Sequence, residues 1–294
     1  MSPLSKRRGP DNVEPTHCLC GGREFSTAFT YREPPAGEVK FDFGKTPYFR
    51  EIWRCLNCGH FLSAHRIDMG QLYNGQYVDS TYGKEGLKLA FDRIVGLPEN
   101  HSDNVGRVER VIHFCSEKFG KMTASGMTPA VLDVGSGLCV FLDRLHRMTG
   151  WGCTALDPDQ RAAAHARDVA GVNGVCADFM QAGEIGCFDL ITFNKVLEHV
   201  IDPIAMLARA REHLSANGIV YVELPDGDAS ATEGPGREEF FIDHHHVFSP
   251  ESMRVLGEKA GFSVLVTERL REPSGKFTLR SFMNPSSGTL QHAV

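Results

Sequence analysis

From residue 130 onward, short β-branched segments alternate with amphipathic stretches, and this alternation constrains the fold more than any other feature of the chain. Strands that alternate with helices form a mostly parallel sheet with helices on both faces. The sequence therefore predicts a doubly wound α/β fold. The predicted strands are 130–134, 153–157, 174–178, 188–193, 218–224 and 262–266, with helices at about 138–148 and 159–169.

Two further helix starts are marked by a capping residue followed by proline. Asp202 precedes Pro203, and Ser249 precedes Pro250, so each pair supplies an N-cap with proline at the first helical position. The second helix also has a marked end, because Gly261 follows its last turn as a left-handed cap. We expect helices to begin at both pairs.

Composition excludes several classes of protein. The chain has 294 residues, 41% apolar and 23% charged, as in globular proteins, and its net charge of −6 disfavours nucleic-acid binding by bulk charge. No apolar run approaches the ~20 residues that a membrane-spanning helix needs, and no apolar segment follows the basic residues near the N-terminus. We expect a cytoplasmic protein without a membrane span.

Two cysteine pairs stand near the N-terminus, among nine cysteines in all. Cys55 and Cys58 are followed by glycine, in the spacing of a zinc knuckle. Cys18 and Cys20 are separated by one residue only, and His17 with Cys20 would restore the commoner spacing. The residues alone favour zinc over free thiols and leave His17 and Cys18 as alternatives for the fourth ligand.

These patterns divide the chain into four parts. We expect a polar leader at 1–15, a zinc-binding module at 16–68, a helical connector or lid at 69–128, and a core with C-terminal substrate elements at 129–294. The connector begins with Tyr73, Tyr77 and Tyr82, whose rings suit either a sugar or core packing.

A glycine turn directly follows the first strand of the core. Gly135 and Gly137 allow backbone angles and a close ligand approach that a Cβ would block. Such a turn can be purely structural, or it can bind a dinucleotide or an adenosyl cofactor. A dinucleotide is disfavoured, because Val140 stands where its fingerprint has a third glycine.

Acidic residues end the next two strands. Asp157 lies about 20 residues past the turn, where a carboxylate accepts hydrogen bonds from ribose hydroxyls. Asp178 can accept from an adenine amino group, and Phe179 offers an apolar neighbour. Each aspartate alone could equally be a helix cap or a loop residue. Together they indicate a nucleoside site at the carboxyl ends of the strands.

The ordered motifs resemble those of the class I S-adenosylmethionine-dependent methyltransferases. These motifs are LDVGSG, LDPD, AD, FDLITFNKVLEHVIDP, GIVYVELPD and HHHVFSPESMRVLGEKAGF, which together cover about residues 129–270. Within that family the chain is similar to bacterial enzymes with a cysteine-rich N-terminal module that act on sugars and polysaccharides.

The resemblance implies a role for individual residues. It implies S-adenosylmethionine as cofactor and Cys18, rather than His17, as the fourth ligand of a structural zinc ion. The implied zinc ligands are Cys18, Cys20, Cys55 and Cys58. The implied cofactor contacts are Asp133, Gly135 and Gly137 at the methionine end, Asp157 at the ribose, Asp178 and Phe179 at the adenine, and Asn194 with Val196 beside it.

Methyl transfer to a hydroxyl group gains from a base, and histidine suits that role. His199 and the run that begins at His244 both offer one, and the resemblance favours His244. His199 could instead brace its loop, and the run could be an exposed or structural segment. A catalytic metal is disfavoured, because Lys195 replaces the first acid of the acidic-x-x-acidic-His arrangement and leaves only Glu198 with His199.

We therefore expect a methyltransferase that acts on a sugar or polysaccharide hydroxyl. Two alternatives are a catalytically silent binding protein of a surface-polysaccharide assembly and a C-methyltransferase on a nucleotide sugar. The sequence does not identify the acceptor or the oligomeric state.

Overall fold

The computed structural model describes residues 14–38, 47–67 and 86–286. The strands are β1 (Phe25–Tyr31), β2 (Arg50–Cys55), β3 (Phe61–His65), β4 (Ala130–Val134), β5 (Gly152–Asp157), β6 (Asn173–Cys176), β7 (Phe188–Asn194), β8 (Leu214–Pro225), β9 (His246–Val247), β10 (Phe262–Arg271) and β11 (Phe277–Pro285). The helices are α1 (Gly86–Val95), α2 (Asp103–Ala124), α3 (Val140–Thr149), α4 (Gln160–Asp168), α5 (Pro203–Arg209), α6 (Gly227–Ala231) and α7 (Pro250–Lys259). Short 3-10 turns lie at Glu99–His101, Leu197–His199, Ala210–Glu212 and Glu238–Phe240.

The larger sheet has seven strands in the order β10-β11-β8-β7-β4-β5-β6. The five strands from β8 to β6 are parallel, whereas β10 and β11 run antiparallel at the other edge. This arrangement confirms the predicted doubly wound, mostly parallel α/β sheet. All six predicted strands are present, and β11 is an additional strand that the sequence pattern did not predict.

Both marked helix starts are confirmed. The Asp202 side chain accepts a hydrogen bond from the amide of Ala205 at the start of α5. The Ser249 side chain accepts from the amide of Ser252 at the start of α7. Gly261 has a φ of +82° after α7, which is the left-handed conformation that glycine adopts most easily.

Apolar cores cover both faces of the larger sheet. On one face, α2, α3 and α4 pack on the strands through residues such as Val108, Leu142 and Ala166. On the other face, α5 and α7 contribute Leu207 and Leu256. Because both faces are covered, the exposed carboxyl ends of the parallel strands are where a ligand can enter.

The smaller sheet has the order β1-β2-β3-β9. Its first three strands pair in antiparallel fashion, β1 with β2 and β2 with β3. Its fourth strand, β9, comes from the C-terminal half and pairs with β3 through Leu62 and His246. The N-terminal sheet therefore pairs with the chain at His246, the last residue of the histidine run.

No helix within the described ranges has the length and apolar character to cross a bilayer. Tyr73, Tyr77 and Tyr82, whose rings were expected to contact a sugar or to pack in the core, lie outside the described residues. Most of the predicted leader at 1–15 also lies outside them.

Candidate active site and cysteine cluster

The glycine turn has the backbone conformation that the sequence predicts. Gly135 and Gly137 have φ values of +69° and +50°. A Cβ placed on Gly135 would lie 2.8 Å from Cγ2 of Val196, which is closer than nonbonded carbon atoms approach. The turn therefore lies directly against the loop that follows β7.

Asp157 holds this turn. Its Oδ2 accepts a hydrogen bond of 2.9 Å from the amide of Gly137, and its Oδ1 accepts one of 2.9 Å from the amide of Asp159. Burial raises the pKa of its carboxyl group. Since a carboxylate offers about four lone-pair sites, two remain for donors such as ribose hydroxyls.

Asp133 joins β4 to β7 beneath the turn. Its Oδ1 accepts from the Thr192 hydroxyl at 2.6 Å and from Nδ2 of Asn194 at 2.8 Å. Burial raises its pKa to about 6. The Oδ1 atom of Asn194 is buried without a hydrogen-bond partner among the described residues. Asn194 therefore keeps an acceptor for which the described part of the protein supplies no donor.

Asp178 and Phe179 lie further along the same edge. The Asp178 side chain is exposed and accepts from the amide of Met180 at 2.9 Å, so it caps the short turn after β6. The Phe179 ring is buried and packs edge to face against Phe193, with centroids 5.9 Å apart. Their contact with adenine stays a prediction.

Two histidines meet beyond the glycine turn. The 3-10 turn Leu197–His199 follows Val196 directly, and the amide of His199 donates to the Val196 carbonyl at 3.0 Å. The rings of His199 and His244 pack edge to face with centroids 4.7 Å apart. The structure thus brings together both histidines that the sequence singled out.

Hydrogen bonds to backbone carbonyls determine which nitrogen of each ring carries the hydrogen. Nδ1 of His244 lies 2.8 Å from the Glu239 carbonyl, and Nδ1 of His199 lies 2.9 Å from the Asp243 carbonyl. Because a carbonyl only accepts, each Nδ1 carries the hydrogen and Nε2 is the acceptor of the neutral ring. Burial lowers the pKa of His244, which keeps the ring neutral near pH 7.

Glu198 is the third member of this group. Its side chain is buried, and neither carboxylate oxygen has a hydrogen-bond partner among the described residues. Ligand atoms of Glu198, His199 and His244 lie within 4.8 Å of one another, a set of donors able to hold a proton or a cation. Sequence reasoning gave Glu198 no part in proton transfer, and only its position beside His199 could have indicated one.

The rest of the histidine run has other contacts. The amide of His245 donates to the Glu198 carbonyl at 2.8 Å, which joins the two loops. His246 is buried, and its Nδ1 lies 3.0 Å from Nε2 of His60. His246 therefore has structural contacts, which is one of the alternatives that the sequence left open for the run. His244, in contrast, packs against His199.

A buried ion pair lies at the carboxyl end of β8. Arg107, on α2, donates to both oxygens of Glu223, and the Tyr221 hydroxyl donates to the same carboxylate at 2.7 Å. Lys195 Nζ lies 4.0 Å from Glu223 and donates to Thr278 at 2.9 Å. Sequence reasoning missed this cluster, because its members are far apart in the chain.

The four N-terminal cysteines form one cluster. Their sulfur atoms all lie within 4.8 Å of one another; Cys18 and Cys58 are 3.6 Å apart, and Cys20 and Cys55 are 3.7 Å apart. Four sulfurs at about 2.3 Å from a tetrahedral zinc ion lie about 3.8 Å apart, so the donor set fits that metal. The hydrogen bond between Cys18 and Cys58 lowers the pKa of Cys58 to about 6 and raises the pKa of Cys18, so Cys58 is the thiolate of this pair.

His17 lies outside the cluster. It is exposed, and its Nδ1 lies 3.0 Å from the Thr16 hydroxyl. Cys18 is buried with Cys55 and Cys58. Of the two alternatives for the fourth ligand, the geometry therefore favours Cys18.

Comparison with known proteins identifies the core. A family model described as a methyltransferase domain matches residues 101–267, which is more than half of the chain. The chain belongs to this methyltransferase family. It is an S-adenosylmethionine-dependent enzyme of class I, as its motifs and sheet indicate. No curated protein matches the sequence.

Solved structures resemble the methyltransferase in fold. One is the 1,6-didemethyltoxoflavin-N1-methyltransferase of Burkholderia thailandensis, with 16% identity, 85% of this chain and 100% of that chain covered, and a TM-score of 0.53. Another is the magnesium protoporphyrin IX methyltransferase of Synechocystis PCC 6803, with 17% identity, 74% and 100% covered, and a TM-score of 0.50. Both were solved with S-adenosylhomocysteine. At such identities the likeness shows the fold and does not define the acceptor.

Proposed function

We propose that this methyltransferase transfers a methyl group to a hydroxyl group of a sugar or polysaccharide, with His244 as general base. One observation supports the base above all: the bond from Nδ1 of His244 to the Glu239 carbonyl leaves Nε2 as the acceptor of the ring, which lies beside His199 and near the buried carboxylate of Glu198. The carbohydrate class is supported by the resemblance of the motifs to sugar-modifying enzymes.

The residues at the carboxyl ends of the parallel strands are suited to bind S-adenosylmethionine. The glycine turn has the positive φ values that let its backbone lie close to a ligand, and Asp157 keeps lone pairs for ribose hydroxyls. Asn194 keeps a buried acceptor without a partner among the described residues. We propose that these residues hold the cofactor, with Asp133, Gly135 and Gly137 at its methionine end and Asp178 with Phe179 at its adenine.

When bound, the cofactor supplies a methyl group on a positively charged sulfur. His244 Nε2 accepts the proton of the acceptor hydroxyl as its oxygen forms the new bond to carbon. His244 would leave the step protonated, and the products would be the methyl ether and S-adenosylhomocysteine. A positioned base of this kind contributes about 100- to 10,000-fold to the rate.

Nearby carboxylates support proton transfer to His244. The imidazolium that forms lies next to Glu198, whose negative charge stabilises it in a buried environment. Asp243 also lies close, with an Oδ2 atom 3.7 Å from Nδ1 of His199, so a second carboxylate faces the pair of rings when one of them takes up a proton. His199 serves as the second ring of the site and restrains the His244 ring by packing against it edge to face.

We also propose that the four cysteines bind a structural zinc ion. Four thiolates complete a tetrahedral shell and leave no open position for a substrate, so the ion stabilises the small sheet and takes no part in chemistry. The N-terminal module then forms one wall beside the histidine run, since β9 pairs with β3.

The proposal is tested with methyl-labelled S-adenosylmethionine and a panel of nucleotide sugars and bacterial polysaccharides. Products are identified by mass spectrometry. We expect a labelled ether on a sugar oxygen, and we expect His244→Ala to reduce turnover at least 100-fold while the Kd for S-adenosylhomocysteine changes less than about threefold. The exposed His101 provides a matched control, His101→Ala, with unchanged turnover.

Each alternative has a distinct result. A label on a carbon atom of the sugar would show that the enzyme is a C-methyltransferase and not an O-methyltransferase. Cofactor binding without any labelled product across the panel would favour a binding protein. Equal turnover in His244→Ala and the parent would remove His244 as the base.

A further inference from the structure

A buried charged cluster joins the N-terminal sheet to the segment that precedes His244. It consists of Glu38, Tyr48 and Arg50, and we call it the Arg50 cluster. The Arg50 and Glu38 side chains are 0% and 1% exposed, and their charged groups lie 3.0 Å apart. Sequence analysis assigned no role to any of these residues.

Every polar group of the ion pair has a partner. Arg50 donates through Nε to the Tyr48 hydroxyl at 3.1 Å, through Nη2 to Glu38 at 3.0 Å and through Nη1 to the Phe240 carbonyl. Glu38 accepts from the Tyr48 hydroxyl at 2.6 Å and from the backbone amide of Ile242 at 2.8 Å. The guanidinium also lies 4.3 Å from the Tyr31 ring centroid.

Two of these bonds reach the backbone on the N-terminal side of His244. The Phe240 carbonyl and the Ile242 amide lie four and two residues before it. The same segment holds His244 itself, because its Nδ1 bonds to the Glu239 carbonyl and its amide donates to the Phe241 carbonyl at 3.1 Å. Displacing this segment would therefore displace the carbonyl that fixes the hydrogen on Nδ1.

Stability alone does not explain a buried ion pair at this position. Removing two charges from water costs several kcal/mol per ion, and well-packed apolar residues often stabilise a core equally well. A guanidinium differs from them because its planar group directs several donors at fixed angles. The Arg50 cluster therefore fixes the orientation of the backbone groups that it contacts.

We propose that Arg50 and Glu38 are positioning residues for His244: they hold the backbone of residues 240–242 so that the imidazole keeps its Nδ1–H form, which leaves Nε2 as the acceptor. This inference rests on the proposed role of His244 as the base. It assigns the N-terminal module a direct part in the active site, through side-chain contacts that are separate from the cysteine cluster.

The C-terminal side of the histidine run has its own supports. The amide of Ser63 donates to the His245 carbonyl at 3.0 Å, and β9 pairs with β3. Ser249 donates to the Cys58 carbonyl at 2.5 Å. Because these contacts do not involve Arg50, a conservative change in the Arg50 cluster should alter the His244 segment and leave the small sheet folded.

The test uses Arg50→Lys and Glu38→Gln in the full chain, with Arg54→Lys as the matched control. Lysine keeps the charge of Arg50 but lacks the planar group. Arg54 lies on the same strand, and its pair with Asp228 is 42% and 30% exposed, so its replacement leaves the cluster intact. Histidine side chains are labelled with ¹⁵N, and the His244 signals are assigned by their loss in His244→Ala.

We expect the parent and Arg54→Lys to show His244 in the Nδ1–H form, and Arg50→Lys and Glu38→Gln to show a mixture of both tautomers. In both cluster variants the Kd for S-adenosylhomocysteine should change less than about threefold, while kcat on a panel acceptor falls about 10-fold or more. Reduced stability with parent-like His244 signals and kcat would overturn the inference and leave a structural role. Unaltered turnover in His244→Ala would instead refute the proposed function, and the two failures are thus distinct.

Discussion

The amide of Gly137 donates a 2.9 Å hydrogen bond to the carboxylate of Asp157. The residue at the end of β5 therefore supports the turn at the end of β4, and it does so with the side chain proposed to bind the ribose. If Asp157 binds the ribose as proposed, it both shapes the cofactor site and contacts the cofactor.

Asp157→Asn should weaken cofactor binding. An amide group cannot accept at both positions, so one of the bonds from Gly137 and Asp159 is lost together with the negative charge. A hydrogen bond to a charged group contributes about 1.5–3 kcal/mol, so we expect the Kd for S-adenosylhomocysteine to rise about 10- to 100-fold. Isothermal titration calorimetry measures it. Asp159→Asn is the control, because it alters the ion pair with Arg161 and keeps the backbone amide that donates to Asp157. Equal Kd values in the parent and Asp157→Asn would contradict the prediction.

Gly135→Ala should destabilise the fold through two separable effects. The first is the positive φ, which costs an alanine about 1–2 kcal/mol. The second is the 2.8 Å approach to Val196, and such overpacking costs about 1–3 kcal/mol. Urea unfolding measures the sum of the two.

Gly171 provides the matched control, because its φ is +70° and no atom lies within 4 Å of its added Cβ. Gly135→Ala should therefore reduce the free energy of unfolding by more than Gly171→Ala does. Combining Gly135→Ala with Val196→Ala should cost less than the sum of the single changes. Strict additivity would show that Val196 does not limit the turn.

The local pattern predicted which residues meet at the edge of the sheet for a physical reason. In a parallel sheet, residues that end successive strands meet at one edge, so the glycine turn and Asp157 could be placed together from their positions alone. The same rule brought His199 to that edge, because it follows β7. Helix starts could be predicted equally well, because a capping residue such as Ser249 bonds to the first turn of the helix that follows it.

Long-range partners could not be predicted in this way. Strand β11 was missed because it contains polar residues such as Arg280, which are satisfied only across the sheet, where Arg280 pairs with Glu268. The contacts of Arg50 with Glu38 and the Phe240 carbonyl likewise depend on the packing of the N-terminal sheet against the core. No spacing in the chain carries that information.

Cys58→Ser should abolish zinc binding. The proposed site needs four thiolates, and a serine hydroxyl stays protonated near pH 7, so the tetrahedral set is broken. Mass spectrometry of metal content should find one zinc per chain in the parent and none in the variant. Hydrogen exchange should become faster in β2 and β3, which flank the cluster. Cys176 is exposed and outside the cluster, so Cys176→Ser should keep the metal. Zinc retained in Cys58→Ser, or missing from the parent, would refute the site.

The Arg107–Glu223 pair should make stability depend on pH. Arg107 and Lys195 lower the pKa of the buried Glu223 carboxyl to about 2, against an ordinary value of about 4.3. Because the folded-state pKa is lowered, the stabilisation is fully present above about pH 4.3 and is lost as the pH falls toward 2. This difference between the folded and unfolded pKa of Glu223 corresponds to about 3 kcal/mol in the free energy of unfolding.

This dependence is measured as the difference in the free energy of unfolding between the parent and Glu223→Gln. We expect the parent's advantage to be constant between pH 5 and 7, and to fall by more than 1 kcal/mol on going to pH 3, because glutamine binds no proton in this range. Glu109→Gln, at an exposed position on the same helix as Arg107, should show a much smaller change. A pH-independent difference for Glu223→Gln would mean that Glu223 titrates alike in the folded and unfolded chains, and the buried pair would then contribute no pH-dependent stability.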